Sequence, residues 1–230
     1  MNEDEGTIST RLAAVRARID EATIRAGQKP GSVRLVAVSK TKPAEAIREA
    51  YAAGQRDFGE NYVQELTQKA AALADLADLR LHFIGALQRN KAKQAASAAS
   101  VIHTVDREEL AVELDRRAGA LGRTLDVLLE VNVGGEASKA GCAPEAVPSL
   151  LEAARRSVHL RVVGLMAIPP FLDDPEAVRP YFARLRALRD GLEAPSLLPE
   201  LSMGMSHDFH VAIEEGATIV RVGTAIFGAR

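Results

Sequence analysis

Residues 199–228 read PELSMGMSHDFHVAIEEGATIVRVGTAIFG. Two short apolar runs, PELSMG from Pro199 and TIVRVG from Thr218, bracket a segment of helical period that stops at Gly216. Each run ends in a small-residue loop, SMGMS or VGT. Strand, loop, helix and second strand in so short a span is the signature of a parallel βα unit.

Working outward, the same unit recurs along the chain. Candidate strands also begin at Val33 (VRLVAV), Arg56 (RDFG), Arg80 (RLHFIG), Val101 (VIHTV), Leu125 (LDVLLEVNV) and Leu160 (LRVVGLM). Successive starts lie about 20 to 40 residues apart, room for a strand, a helix and two short loops. Pro43 marks a helix start, and Gly54 and Gly216 mark helix ends. Ahead of the first strand, Ile8, Leu12, Val15, Ile19 and Ala22 recur at spacings of four and three, so residues 7–26 form an amphipathic helix with one core-facing stripe. The expected architecture is α/β: one single-domain (β/α)8 TIM barrel over residues 1–230, with residues 1–32 supplying an extra N-terminal helix packed outside it. A doubly wound open sheet is the alternative.

Composition bounds the function. The chain has 29 Lys+Arg against 31 Asp+Glu, so no bulk electrostatic attraction draws it to nucleic acid or to an anionic membrane. The apolar stretch Ala70–Leu79 is broken by Asp75 and Asp78, so no membrane span is expected. Cys142, the single cysteine, has no internal disulfide partner, and the acidic start Met1-Asn2-Glu3-Asp4-Glu5 is unlike a basic leader; the expected address is the cytoplasm.

Barrel chemistry sits at the C-terminal ends of the strands. The loops after strands seven and eight commonly hold a phosphate, and here they offer the hydroxyls of Ser202, Ser206 and Thr224, with Gly204 and Gly223 leaving room for an anion. Turn chemistry alone accounts for either loop taken singly. Lys40 follows the first strand; most lysines so placed are solvated, but one desolvated in a barrel mouth becomes a nucleophile that forms Schiff bases. A phosphate site with a reactive lysine points to pyridoxal phosphate.

Six motifs in order then carry a resemblance: AVSKTKP (37–43), FGENYVQE (58–65), HFIGALQRNK (82–91), GLMAIP (164–169), SMGMS (202–206) and RVGTAIFG (221–228). From about Val33 to Arg230 the chain resembles the pyridoxal-phosphate homeostasis protein family, relatives of the N-terminal barrel of alanine racemase with the type III cofactor fold. The resemblance implies that Lys40 carries pyridoxal 5'-phosphate as an aldimine and that Ser202, Gly204, Ser206, Gly223 and Thr224 hold its phosphate. It also implies that Arg221 approaches the pyridine nitrogen and that Asn61 lies at the cofactor's polar edge. The family commonly has proline where Ala86 stands and aspartate where His207 stands; Ala86 loosens the loop before Gln88, Asn90 and Lys91, and His207 adds a titratable group beside the phosphate loop.

The implied role is binding and handling of the cofactor without an established catalytic reaction; the expectation is an intracellular monomer whose partners are pyridoxal phosphate and apo forms of enzymes that use it. Type III racemases place an acid/base on each face of the cofactor, one of them a tyrosine from a second domain or subunit. Here the chain ends with its barrel, Tyr51 and Tyr181 lie within helical segments, and Tyr62 opens the helix after strand two. A cationic Arg221 would also discourage ring-nitrogen protonation and weaken the ring as an electron sink. A small racemase is the alternative, and a barrel binding another phosphorylated metabolite a third reading. His207 and His210 have the i, i+3 spacing of a metal pair without a third ligand; Arg89, Lys91 and Lys93 make a basic turn without interleaved aromatics; Lys139, beyond Asn132, is the other lysine in reach of an aldehyde.

Overall fold

The computed structural model describes residues 6–136 and 139–228. An opening helix, α1 (Ile8–Arg25), precedes eight strands: β1 (Arg34–Val38), β2 (Asp57–Glu60), β3 (Arg80–Phe83), β4 (Val101–Val105), β5 (Leu125–Glu130), β6 (Leu160–Met166), β7 (Glu200–Ser202) and β8 (Ile219–Val222). Between or after them lie α2 (Ala44–Ala52), α3 (Val63–Ala72), α4 (Ala92–Ala98), α5 (Glu108–Ala120), α6 (Val147–Arg155), α7 (Arg179–Asp190), α8 (Phe209–Glu214) and α9 (Thr224–Phe227). The strands pair in chain order, every pair parallel, and β8 returns to β1 with Arg34 opposite Ile219 and Ala37 opposite Val222. The result is the expected closed (β/α)8 barrel.

Local chemistry explains the boundaries. Thr7 caps α1 by accepting the Thr10 N–H at 3.2 Å, and Leu12, Val15, Ile19 and Ala22 are buried against α8, α9 and α2, so the expected stripe does face the core. Gly54 (φ 86°) and Gly216 (φ 92°) follow α2 and α8 in the left-handed region that stops a helix. No helix among the described residues is long and apolar enough to cross a membrane.

The outer faces of the strands and the inner faces of the helices share one continuous apolar core. The barrel interior is different. β4 and β7 are not neighbours in the sheet, so the 3.0 Å contact between His103 and Ser202 crosses the interior. Val101 shares the inner face of β4 with His103 and packs with Leu128 and Met166 in a small cluster apart from the main core. The sequence reads as strands apolar on both faces; inside the barrel the structure corrects this, because Asp57, His82, His103, Glu130, Ser202 and Arg221 all carry polar groups there and are nearly all fully buried. The register shift between Ile102 and Val105 lies at His103 and Thr104, where a bulge re-aims side chains.

Gly164 shows how tightly the seam beside β7 is closed. A Cβ built there would fall 1.8 Å from the Glu200 carbonyl oxygen on the paired strand. Because the obstacle is backbone, Gly164→Ala is expected to cost about 3 kcal/mol or more, or to abolish soluble expression. Urea denaturation checks this; a loss below about 1 kcal/mol would show that β6 and β7 separate easily.

Candidate functional site

Lys40 is half-buried immediately after β1, and its neighbours on both sides are fixed. Ser39 is fully buried; its hydroxyl donates to Glu60 Oε1 at 2.6 Å, and its carbonyl accepts from Lys69 Nζ at 2.8 Å. Lys69 also reaches Glu60 Oε1 at 2.7 Å and Glu65 Oε2 at 3.0 Å. Glu65 Oε2 in turn accepts the Thr41 N–H at 2.7 Å. Burial raises the Glu60 carboxyl above its ordinary value despite Lys69 and Ser39. For Glu65, burial acts upward too, but the Thr41 N–H and Lys69 outweigh it and hold the carboxyl low. Thr41 itself sits at φ 64°, an uncommon conformation for a β-branched residue. A buried ion cluster therefore dictates the backbone path on which Lys40 is carried.

Barrel closure brings the last loops beside this lysine. A Cβ on Gly223 would approach the Val38 carbonyl to 3.2 Å, so the turn after β8 passes close to the end of β1. Ser206 Oγ lies 3.4 Å from both the Gly223 N–H and the Thr224 hydroxyl, long contacts that leave these donors loosely engaged. Arg221, 3% exposed, donates to Ser202 Oγ at 2.6 Å and to the Ala167 carbonyl at 3.0 Å. Burial lowers its pKa to about 10, Glu130 and Asp208 pulling the other way, so it stays a cation at neutral pH.

The expected residues thus divide. Lys40, Ser206, Arg221, Gly223 and Thr224 converge at the C-terminal end of β1 and β8. Ser202 lies within β7, fully buried, beneath Arg221 rather than in the loop. Gly204 (φ 90°) packs behind the loop, where a Cβ would meet Ala212 Cβ at 2.6 Å, and its carbonyl accepts the Arg221 N–H at 3.0 Å. Asn61 follows Glu60 on the other side of β1, its backbone so close to Gly85 that a Cβ there would fall 2.1 Å from the Asn61 oxygen. Gln88, Arg89 and Asn90 are exposed.

Sequence reasoning missed Glu60, Glu65 and Lys69, although the four-residue spacing of Glu65 and Lys69 on a helix was visible. It also missed Glu130 at the end of β5. Burial and then Asp106 push its carboxyl up to about 7, with Arg221 acting in the opposite sense, and Oε2 has no hydrogen-bond partner among the described residues. The other side chains weighed from sequence lie elsewhere. His207 is exposed, its ring 5.4 Å from that of Phe171 and its Nε2 donating to the Asp173 carbonyl at 3.0 Å. Lys139 Nζ donates to the Pro169 carbonyl at 3.1 Å and pairs with Glu136 at 2.9 Å. Burial, then Asp106, raises the Cys142 thiol to about 11, which makes it a poor nucleophile. Tyr51 bonds to Asp78 on the outer surface, Tyr181 lies in α7, and Tyr62 precedes α3 with its ring half exposed. Among the described residues no group of three His, Cys, Asp or Glu is placed to hold a metal.

A closed parallel barrel with a lysine after its first strand and hydroxyl-bearing glycine loops after its last two defines a class, and residues 10–230 match the family described as alanine racemase, N-terminal domain. A pyridoxal phosphate homeostasis protein of Aquifex aeolicus is 52% identical over 222 residues, covering 96% of this chain and 97% of its own. One from Pseudomonas aeruginosa is 53% identical over 224 residues, covering 97% and 96%. The chain belongs to the pyridoxal phosphate homeostasis protein family. The structure of PipY from Synechococcus elongatus PCC7942 with pyridoxal phosphate bound superposes with a TM-score of 0.82 at 42% identity, covering 96% of this chain and all of the other.

Glu130 gives a measurable signature. Its folded-state pKa of about 7 lies above the ordinary 4.5, so the stability linked to its protonation is fully present below about pH 4.5 and is lost as pH rises through 7. Glu130→Gln is therefore expected to match wild type near pH 4.5 and to be more stable by up to about 3 kcal/mol at pH 8. Denaturant titrations at the two pH values check this; a constant difference across the range would show that Glu130 ionises normally.

Proposed function

We propose that this protein binds pyridoxal 5'-phosphate in the barrel mouth, links it covalently to Lys40 and passes it to apo enzymes that require it. The observation that carries the reading is one of position: a half-buried lysine on a rigid backbone, next to a buried cation and three loosely engaged donors. The donors fit the cofactor's chemistry. Its dianionic phosphate matches Ser206, the Gly223 N–H and Thr224; its pyridine nitrogen matches Arg221; its aldehyde matches an amine. When bound, pyridoxal phosphate supplies an aldehyde that condenses reversibly with amines and a ring that withdraws electrons.

The residues around it favour holding over turnover. Arg221 stays charged and only donates, so it opposes protonation of the ring nitrogen and weakens electron withdrawal. Glu60, Lys69 and Glu65 hold the Lys40 backbone still, while Ser206, Gly223 and Thr224 anchor the phosphate. Ser202 and Gly204, behind Arg221 and the loop, act as supports. The names of the relatives, homeostasis proteins and not racemases, agree with a carrier role, which we take to be that of a cytoplasmic monomer.

Two outcomes test this. Borohydride treatment of the loaded protein, followed by peptide mapping, should mark Lys40, and the untreated protein should surrender its cofactor to an apo enzyme while amino acids in deuterated water show no α-proton exchange. Label mainly on Lys42 or Lys139 rejects the attachment site, and exchange at roughly 1 per second or faster rejects the carrier role. Ser206→Ala should weaken pyridoxal phosphate binding roughly tenfold and leave pyridoxal binding little changed. Equal losses for both ligands would assign the serine to fold stability.

A further inference from the structure

The interior of the barrel contains a continuous chain of side chains leading away from Arg221. Arg221 lies 2.6 Å from Ser202 Oγ, which lies 3.0 Å from His103 Nδ1. His103 Nε2 is 2.8 Å from His82 Nδ1, and His82 Nε2 is 2.8 Å from Asp57 Oδ1. Both histidines and Ser202 are completely buried. Asp57 lines a cleft of about 320 Å³ at the N-terminal end of the strands, together with Arg16, Arg34 and Arg56. The chain therefore runs from the mouth of the barrel to its opposite end.

Its direction follows from what each group can do. A guanidinium only donates, and an ionised carboxylate only accepts. Burial keeps both histidines neutral, lowering their pKa values. Burial alone would raise Asp57, but the hydrogen bond from His82, with Arg80 and Arg34, outweighs it and keeps the carboxyl ionised. His82 must then donate from Nε2 and accept at Nδ1, and His103 must do the same. Ser202 donates its single hydroxyl proton to His103, which turns its lone pairs toward Arg221. Every donor in the chain points toward Asp57.

We infer that Ser202, His103, His82 and Asp57 are positioning residues, a one-way hydrogen-bond chain that is anchored on a carboxylate at the far end of the barrel and holds the Arg221 guanidinium at its mouth. Bonds aligned in one sense polarise each other, so the hold on Arg221 is stronger than the Ser202 contact alone would give. The Ser202 and Ala167 bonds together fix the plane of the guanidinium. The cofactor part of the inference rests on the function proposed above; the chain itself does not.

The apo protein tests the chain directly. Nitrogen-15 NMR should show His82 and His103 each as a single Nε2–H tautomer, and the Nη protons of Arg221 should be resolved because the side chain cannot rotate freely. Ser202→Ala should average those protons, Ser202→Thr should restore them, and Asp57→Leu should perturb them from across the barrel. In the loaded protein, Ser202→Ala should shift the visible band of the cofactor and speed its release roughly tenfold, with Ser202→Thr again restoring both. An Nδ1–H tautomer at either histidine, or Arg221 resonances and a visible band untouched by Ser202→Ala, overturns the inference. Failure of the wild type to take up pyridoxal phosphate refutes the proposed function instead, and the apo resonances still decide the chain.

Discussion

Closure of the sheet, β8 pairing with β1 through four successive residue pairs, is the constraint on which the rest of the molecule depends. It makes neighbours of two loops that lie far apart in the chain, so a lysine from the first strand meets glycines and hydroxyls from the last. It also seals the interior. Only in a closed barrel does His103 of β4 face Ser202 of β7, and only a water-excluded interior gives their hydrogen bonds full electrostatic weight. The first helix packs against α8, α9 and α2, the helices that flank this seam.

Much of this was legible beforehand, and for an identifiable reason. Strands such as LVAV and VLLE are covered on both sides, which leaves runs of apolar residues that alternate with helical periods and end in glycine. The amphipathic stripe of α1 and the helix ends at Gly54 and Gly216 follow from side-chain spacing and positive φ alone. The interior was not legible because its partners are remote: His103 and Ser202 are separated by 99 residues, and VIHTV reads as an apolar strand with one incidental histidine. The string SMGMS reads as a loop from Ser202 onward because nothing in it marks where β7 ends. Once the strand runs to Ser202, alternation turns its hydroxyl inward.

Both polar clusters are costly if incomplete. Glu60 and Lys69 are almost fully buried, and removing Lys69 leaves the Glu60 carboxyl without its cation, a loss typically worth about 3–5 kcal/mol. Even complete, the clusters leave Glu60 Oε2 and Glu130 Oε2 without a hydrogen bond among the described residues. Well-packed apolar side chains would be at least as stable in their place, so what these groups contribute is a defined geometry at the mouth.

Thr41 bears on how anything leaves that mouth. A β-branched residue held at positive φ stores about 1–3 kcal/mol, and here the Glu65 carboxylate clamps it from one side while the buried Ser39 is pinned on the other. The segment behaves as a loaded bracket and not as a hinge. If a molecule is attached to Lys40, it moves on the four-carbon arm of the side chain while the main chain at the rim of the barrel stays put.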